Sequence, residues 1–272
     1  MNKWIVCVLV TCISFGLAGC SGLKLPTDLS FFQKDDVPAK EPLTEGIEPK
    51  IEGQASENML LEKEYFNEVV EADSKAVIQN PDNLLVLVNK EYALPPSYEP
   101  ADLTAPNVPF SFGDADVPQR YLRKEAAEAL EELFAAAEGE GVELFAVSGF
   151  RSYQRQEGIF TAETKHKGEE HALQAVALPG QSEHQTGLAM DVTSKSADLD
   201  ITEYFGETPE GIWVQENAHL FGFIIRYPED KQDITQYQYE PWHLRYVGVE
   251  TAQLLHQHQL TLEEYFQQVK EI

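Results

Sequence analysis

Cysteine is nearly missing. The 272-residue chain has three, at positions 7, 12 and 20, and none beyond. Everything after residue 20 therefore lacks disulfides, thiolate metal ligands and a cysteine nucleophile, and must hold together through its core. Basic residues are also scarce: 20 Lys and Arg face 46 Asp and Glu, for a formal net charge of −26. That balance argues against nucleic acid and against anionic lipid as electrostatic partners. Serine-hydrolase signatures are absent too. There is no G-x-S-x-G, and the S-x-x-K at Ser21–Lys24 is followed by no K-T-G. Nor is there an H-E-x-x-H.

A long apolar run is likewise missing. The N-terminal "MNKWIVCVLVTCISFGLAGC" has one Lys and an apolar stretch too short to favour a spanning helix. Residues 1–19 read as a signal peptide. The ending Leu17-Ala18-Gly19-Cys20 resembles the lipobox of bacterial lipoproteins, which implies cleavage before Cys20 and a lipid on its sulfur. The expected location is the outer face of the cell membrane, favouring a Gram-positive surface. Residues 20–56, rich in Pro, Gly, Ser, Lys and Glu, read as a disordered tether. Residues 57–82 are an ambiguous lead-in, and residues 83–272 form one domain long enough to build a core.

Within that domain the apolar pattern predicts a helix over 118–141, ending at Gly139–Gly141, and a strand over 142–150. It predicts a helix over 152–168, a short strand at 188–193 and a helix over 211–222. "FIIRY" and "PWHLRYVG" read as strands, the second opening at a sheet edge because of Pro241. Two C-terminal helices follow, the last capped by Thr261 with Glu264 three residues on. The expected fold is α+β, a small mostly antiparallel sheet with flanking helices.

The chemistry-bearing residues lie in two stretches, "PGQSEHQTGLAMDV" (179–192) and "YEPWHLRYVG" (239–248). A catalytic zinc takes three protein ligands and keeps one position open. His184, Asp191 and His243 could fill that set, with Gly187 allowing the turn between the first two. Glu240 would sit beside the metal as a proton acceptor. Arg151, at a strand-to-helix junction, could steady an oxyanion, clamp a substrate carboxylate, or simply pair with one of the many acids. H-x6-D is a weak pattern, and His166, His171, His219, His256 and His258 read as ordinary surface or core residues.

Taken together, "SGFRSYQRQ", "PGQSEHQTGLAMDV", "WVQENAHLFGFIIRYP" and "YEPWHLRYVG" resemble, in order and spacing, the VanY-type D-alanyl-D-alanine carboxypeptidases. These zinc metallopeptidases are related to lysostaphin and the hedgehog domain. The resemblance implies one Zn²⁺ held by His184, Asp191 and His243, Glu240 as general base and acid, and Arg151 facing the developing negative charge. It implies substrate contacts from Gln156, Ser182, Tyr239 and Trp242, although packing suits Trp242 better. It implies removal of the C-terminal D-Ala from peptidoglycan stem peptides. D,D-carboxypeptidase activity is the favoured expectation, with L,D-carboxypeptidase action on tetrapeptide stems or non-catalytic wall-peptide binding as alternatives. A monomer is expected. Two departures stand out. Gln236 occupies a position often held by Gly, which implies a different local turn, and Phe150 one often held by Tyr.

Overall fold

The computed structural model describes residues 59–72 and 75–272. The expected signal peptide, Cys20 and the expected tether fall outside the described residues. In chain order, the short strands β1 (Leu60–Leu61), β2 (Val69–Ala72), β3 (Lys75–Ile78), β4 (Tyr92–Ala93), β5 (Leu103–Thr104) and β6 (Leu122–Arg123) precede helix α1 (Lys124–Gly139). Strand β7 (Phe145–Ser148) is followed by α2 (Tyr153–Lys167), α3 (Glu169–Ala175) and β8 (Ala189–Thr193). Helix α4 (Pro209–Asn217), β9 (Phe223–Tyr227), α5 (Gln232–Thr235), β10 (Glu240–Tyr246), α6 (Val249–His258), α7 (Leu262–Gln268) and β11 (Lys270–Glu271) complete the domain. No helix among the described residues is long and apolar enough to cross a membrane.

The central sheet runs β7-β8-β10-β9, and every neighbouring pair is antiparallel. Its α+β character agrees with the apolar pattern. One face packs on α1, whose Ala126, Leu130, Leu133, Phe134 and Ala137 follow helical spacing and meet Met190, Val192 and Leu244 in the main core. A second core gathers Ile224, Val247, Leu255, Leu262 and Tyr265 beneath α6 and α7. The capping box of α7 forms as read: Thr261 accepts from the Glu264 amide, and Glu264 accepts from the Thr261 amide. The lead-in belongs to the fold, because β1 pairs in parallel with β11 and Leu61 joins the second core.

Several boundaries shift. The expected helix over 118–141 begins only at Lys124, since Pro118–Arg120 form a 3-10 turn and Leu122–Arg123 pair with β5. The helix expected over 211–222 starts at Pro209, capped by Thr208, and its last turn is 3-10. Strand β10 is interior, not an edge. Pro241 is tolerated there because the register against β9 shifts between Glu240 and Leu244, and pairing with β8 begins only at His243. A bulge of this kind absorbs a residue that cannot donate to the ladder.

Gln236 does not abandon the Gly-type turn. It ends α5 in the left-handed region, with φ 61° and ψ 16°. That conformation costs a side-chain-bearing residue about 1–2 kcal/mol, and glycine gives back part of the gain as unfolded-state entropy. Gln236→Gly is therefore expected to stabilise the domain by about 0.5–1 kcal/mol. Urea melts check this; a lower midpoint in the variant would mean that Gln236's side-chain contacts outweigh its strain.

Candidate metal centre and active site

Asp191 is the fixed point of the site. It lies on β8, all five of whose residues are buried. The sheet register sets Ser148 of β7 against it on one side and His243 of β10 on the other. Directly opposed residues of antiparallel strands share a face. Asp191 and His243 are thereby brought together by strand pairing alone.

His184 arrives on a 3-10 turn, Glu183–Thr186, that ends at Gly187 with φ 67°. The Thr186 hydroxyl donates to the Glu183 carbonyl at 2.6 Å and accepts from the Leu188 amide at 3.0 Å, which pins the turn to the start of β8. The His184 ring is held from behind, where Nδ1 lies 2.9 Å from the Gly149 carbonyl. That carbonyl can come so close because residue 149 has no side chain: a Cβ there would stand 2.5 Å from the Tyr121 carbonyl oxygen and 2.9 Å from Met190 Cε.

These contacts fix the protonation pattern. A carbonyl only accepts, so His184 Nδ1 carries the hydrogen and Nε2 is left with its lone pair. That lone pair faces Asp191 Oδ2 at 3.3 Å. Asp191 Oδ1 lies 3.0 Å from His243 Nδ1, and the two imidazoles meet edge to face with centroids 4.9 Å apart. One ligand atom from each of the three residues falls within 4.8 Å of the others. A tetrahedral ion about 2.0–2.1 Å from N and O ligands holds them roughly 3.3 Å apart. Two lone-pair-bearing groups facing each other in a dry site repel unless a proton or a metal cation lies between them. The three residues fit zinc.

Charge in the pocket points the same way. Burial resists ionisation of Asp191, but His184 and His243 hold its carboxyl well below the usual range. Burial lowers the pKa of His184, which favours the neutral form a ligand needs. For His243, burial opposes the charged form, but the hydrogen bond with Asp191 and the nearby carboxylate of Glu183 outweigh it and push the ring up to about 9. A cation drawn to the same carboxylates competes for that position.

Glu240 stands at the mouth of the site, its side chain 26% exposed and Oε2 3.8 Å from His243 Nδ1. Loss of hydration pushes its carboxyl up to about 7, against the pull of His243. Arg151 closes the other side. Its amide donates to the His184 carbonyl at 3.1 Å, and its guanidinium donates to Gln156 Oε1 at 3.0 Å and Ser148 Oγ at 3.1 Å. Burial lowers its pKa, against the attraction of Asp191 and Glu240.

The remaining sequence-predicted positions divide. Gln156 is buried, and its amide donates to the Ala177 carbonyl at 2.7 Å while its oxygen takes Arg151, so both of its ends hold the site's frame. Ser182 is buried next to the His184 turn. Trp242 packs against the main core, on the strand face opposite His243. Tyr239 bonds Gln215 and lines a cavity of about 770 Å³ to which His184, Asp191, Glu240 and His243 do not contribute. Phe150 is buried beside Arg151. Of the histidines read as ordinary, His219 and His256 stack on each other at 3.6 Å, and His171 pairs with Glu163.

The sequence reading missed the support beneath the metal ligands. Arg226 of β9 and Arg245 of β10 are fully buried and meet at Glu183, with Glu263 of α7 completing the group. The available signal was an arginine inside each of two apolar strands, "FIIRY" and "WHLRY". Tyr227 and Tyr237 were missed as well: their rings lie 4.6 Å apart, and Tyr227 stacks beside His243 at 5.1 Å.

Comparison with known proteins agrees with this geometry. The model of the VanY family, D-alanyl-D-alanine carboxypeptidase, matches residues 119–249. The putative carboxypeptidase YodJ of Bacillus subtilis (strain 168) is 58% identical over 212 residues, 78% of this chain and 77% of that protein. The structure of the LdcB LD-carboxypeptidase superposes with a TM-score of 0.77 at 57% identity, covering 79% of this chain and 100% of that one. A variant of the vancomycin-resistance D,D-pentapeptidase VanY, from the VanB-type cassette and in complex with Zn(II), gives 0.54 at 37% identity, covering 67% and 98%. A buried His-Asp-His set on an antiparallel sheet, in a chain 58% identical over 212 residues to one of these relatives, places this protein in the VanY family as a zinc carboxypeptidase.

Proposed function

We propose that this chain is an L,D-carboxypeptidase, removing the C-terminal D-Ala from peptidoglycan tetrapeptide stems. The observation that carries the choice is the contrast in likeness: 57% identity over the whole LdcB LD-carboxypeptidase chain against 37% for the D,D-pentapeptidase VanY. The family resemblance carried by the motifs favoured D,D selectivity, and this contrast turns the reading to L,D. A purely binding role is disfavoured by Glu240, a carboxylate at the mouth for which a binder has no need.

His184, Asp191 and His243 hold the ion. When bound, zinc supplies a Lewis acid for the scissile carbonyl and acidifies water to a pKa of about 7. Glu240 takes the proton of the attacking water and returns it to the leaving amine of D-Ala. Its raised pKa suits both halves of that exchange near neutral pH. Arg151, fixed by Gln156 and Ser148, faces the carbonyl oxygen as negative charge develops or receives the substrate's terminal carboxylate. In the same reading the enzyme is a monomer, held on the outer membrane face by a lipid on Cys20.

The test is cleavage of two stems by the zinc-loaded protein, followed by mass spectrometry. The tetrapeptide ending in one D-Ala is expected to lose that residue, and the pentapeptide ending in D-Ala-D-Ala to persist. Loss of a single Ala from the pentapeptide, with the tetrapeptide untouched, would make the enzyme a D,D-carboxypeptidase. Cleavage of neither with zinc bound would leave a binding protein.

A further inference from the structure

Glu183 precedes the metal ligand His184, is fully buried, and divides its two oxygens between different tasks. Oε1 accepts from Arg226 Nε at 2.8 Å and from an Arg245 guanidinium nitrogen at 2.7 Å. Arg226 is gripped in turn by both oxygens of Glu263, at 2.9 and 2.6 Å, and Arg245 also donates to the carbonyls of Leu84, Val86 and Tyr246. Oε2 takes no part in this. It is buried without a hydrogen-bond partner, as is His243 Nε2, and the two atoms face each other at 3.5 Å.

A buried imidazole N–H and a buried carboxylate oxygen rarely stay unpartnered. Metal-bound histidines ordinarily give their second nitrogen to a carboxylate or carbonyl, which sets both ring orientation and tautomer. His184 has that partner in the Gly149 carbonyl. For His243 the atom facing the second nitrogen is Glu183 Oε2.

We propose that Glu183 is the positioning residue for His243, receiving its Nε2–H so that Nδ1 is the nitrogen offered to zinc, while Arg226, Arg245 and Glu263 hold Glu183 in place. The alternative is that Glu183 serves only as counter-ion to two buried arginines. The two roles separate at the oxygens, because the arginines engage Oε1 alone. In Glu183→Gln the arginines demand the one remaining oxygen, so the amide NH₂ is turned toward His243. A donor then meets a donor, and the wrong tautomer is favoured.

The test compares Glu183→Gln with Glu263→Gln, which weakens the same arginine network at a distance from His243. Zinc affinity is read by competition with a chromogenic chelator. Glu183→Gln is expected to bind zinc about 10–100-fold more weakly than wild type. Glu263→Gln is expected to melt earlier yet bind zinc within about threefold of wild type, since it leaves the partner of His243 in place. Equal losses in both variants, or no loss in Glu183→Gln, would overturn the proposal. If Glu183→Gln does not fold, nitrogen NMR of isotope-labelled histidines in the zinc-loaded wild type decides. A protonated, slowly exchanging Nε2 with metal-shifted Nδ1 on His243 supports the role, and metal on Nε2 overturns it. The proposal rests on the zinc reading above. A wild type that binds no zinc would overturn both, whereas zinc bound through the other nitrogen overturns only the role of Glu183.

Discussion

Replacing Glu240 with Gln is expected to lower turnover by about 10²–10⁴-fold, the usual worth of a positioned general acid–base, with zinc content and melting temperature close to wild type. The amide has the same shape and can still face His243, but it cannot take a proton from water. Because Glu240 stands at the mouth and not among the three metal-facing groups, its loss leaves the His-Asp-His set intact. Single-turnover rates on the preferred stem, with elemental analysis of zinc on the same sample, check both halves. A variant hydrolysing at near wild-type rate would remove Glu240 from the chemistry. One that loses its zinc would make it a ligand.

The second large effect concerns stability. Arg226→Met is expected to cost about 3–5 kcal/mol, because it strips Glu263 of both its guanidinium bonds and Glu183 of one while leaving the carboxylates buried. Burial already works against the ionised form of Glu183, and Arg226, Arg245 and, after them, His243 bring its carboxyl well below the usual range. The comparison is Lys195→Met, which breaks an exposed pair with Glu143 and should cost less than about 1 kcal/mol. Urea titrations of the two variants measure the difference. Equal midpoints would mean that the buried network is energetically idle.

Much of this site could be read from the chain because its chemistry is local. His184 and Asp191 sit on one turn and the strand it feeds, and Glu240 and His243 open another strand. His243 and Arg245, two apart in "PWHLRY", share one face by strand alternation, and that face carries both a candidate metal ligand and the support beneath it. What sequence could not supply was strand order. Pro241 looked like an edge residue because pattern reading has no view of the bulge that lets it sit beside an interior pairing. Glu183 looked like one more acid in an acidic protein, because its partners lie 43, 62 and 60 residues away in strands β9 and β10. The small strands β1 to β6 escaped for the same reason, being two to four residues long and defined by partners instead of by their own alternation. Gln236 shows the converse. Its identity argued for a changed turn, but the surrounding fold imposed the left-handed conformation regardless.

The parallel pairing of β1 with β11 joins residues 60–61 to residues 270–271, and the buried charge group beneath His243 takes its last carboxylate from Glu263. Both closures draw on residues 263–271, far along the sequence from the elements they secure. Contacts of such long separation carry a loop-closure cost and tend to form late in folding. A variant cut after Leu262 would keep His184, Asp191 and His243 while losing β11 and the Glu263 carboxylate beneath them.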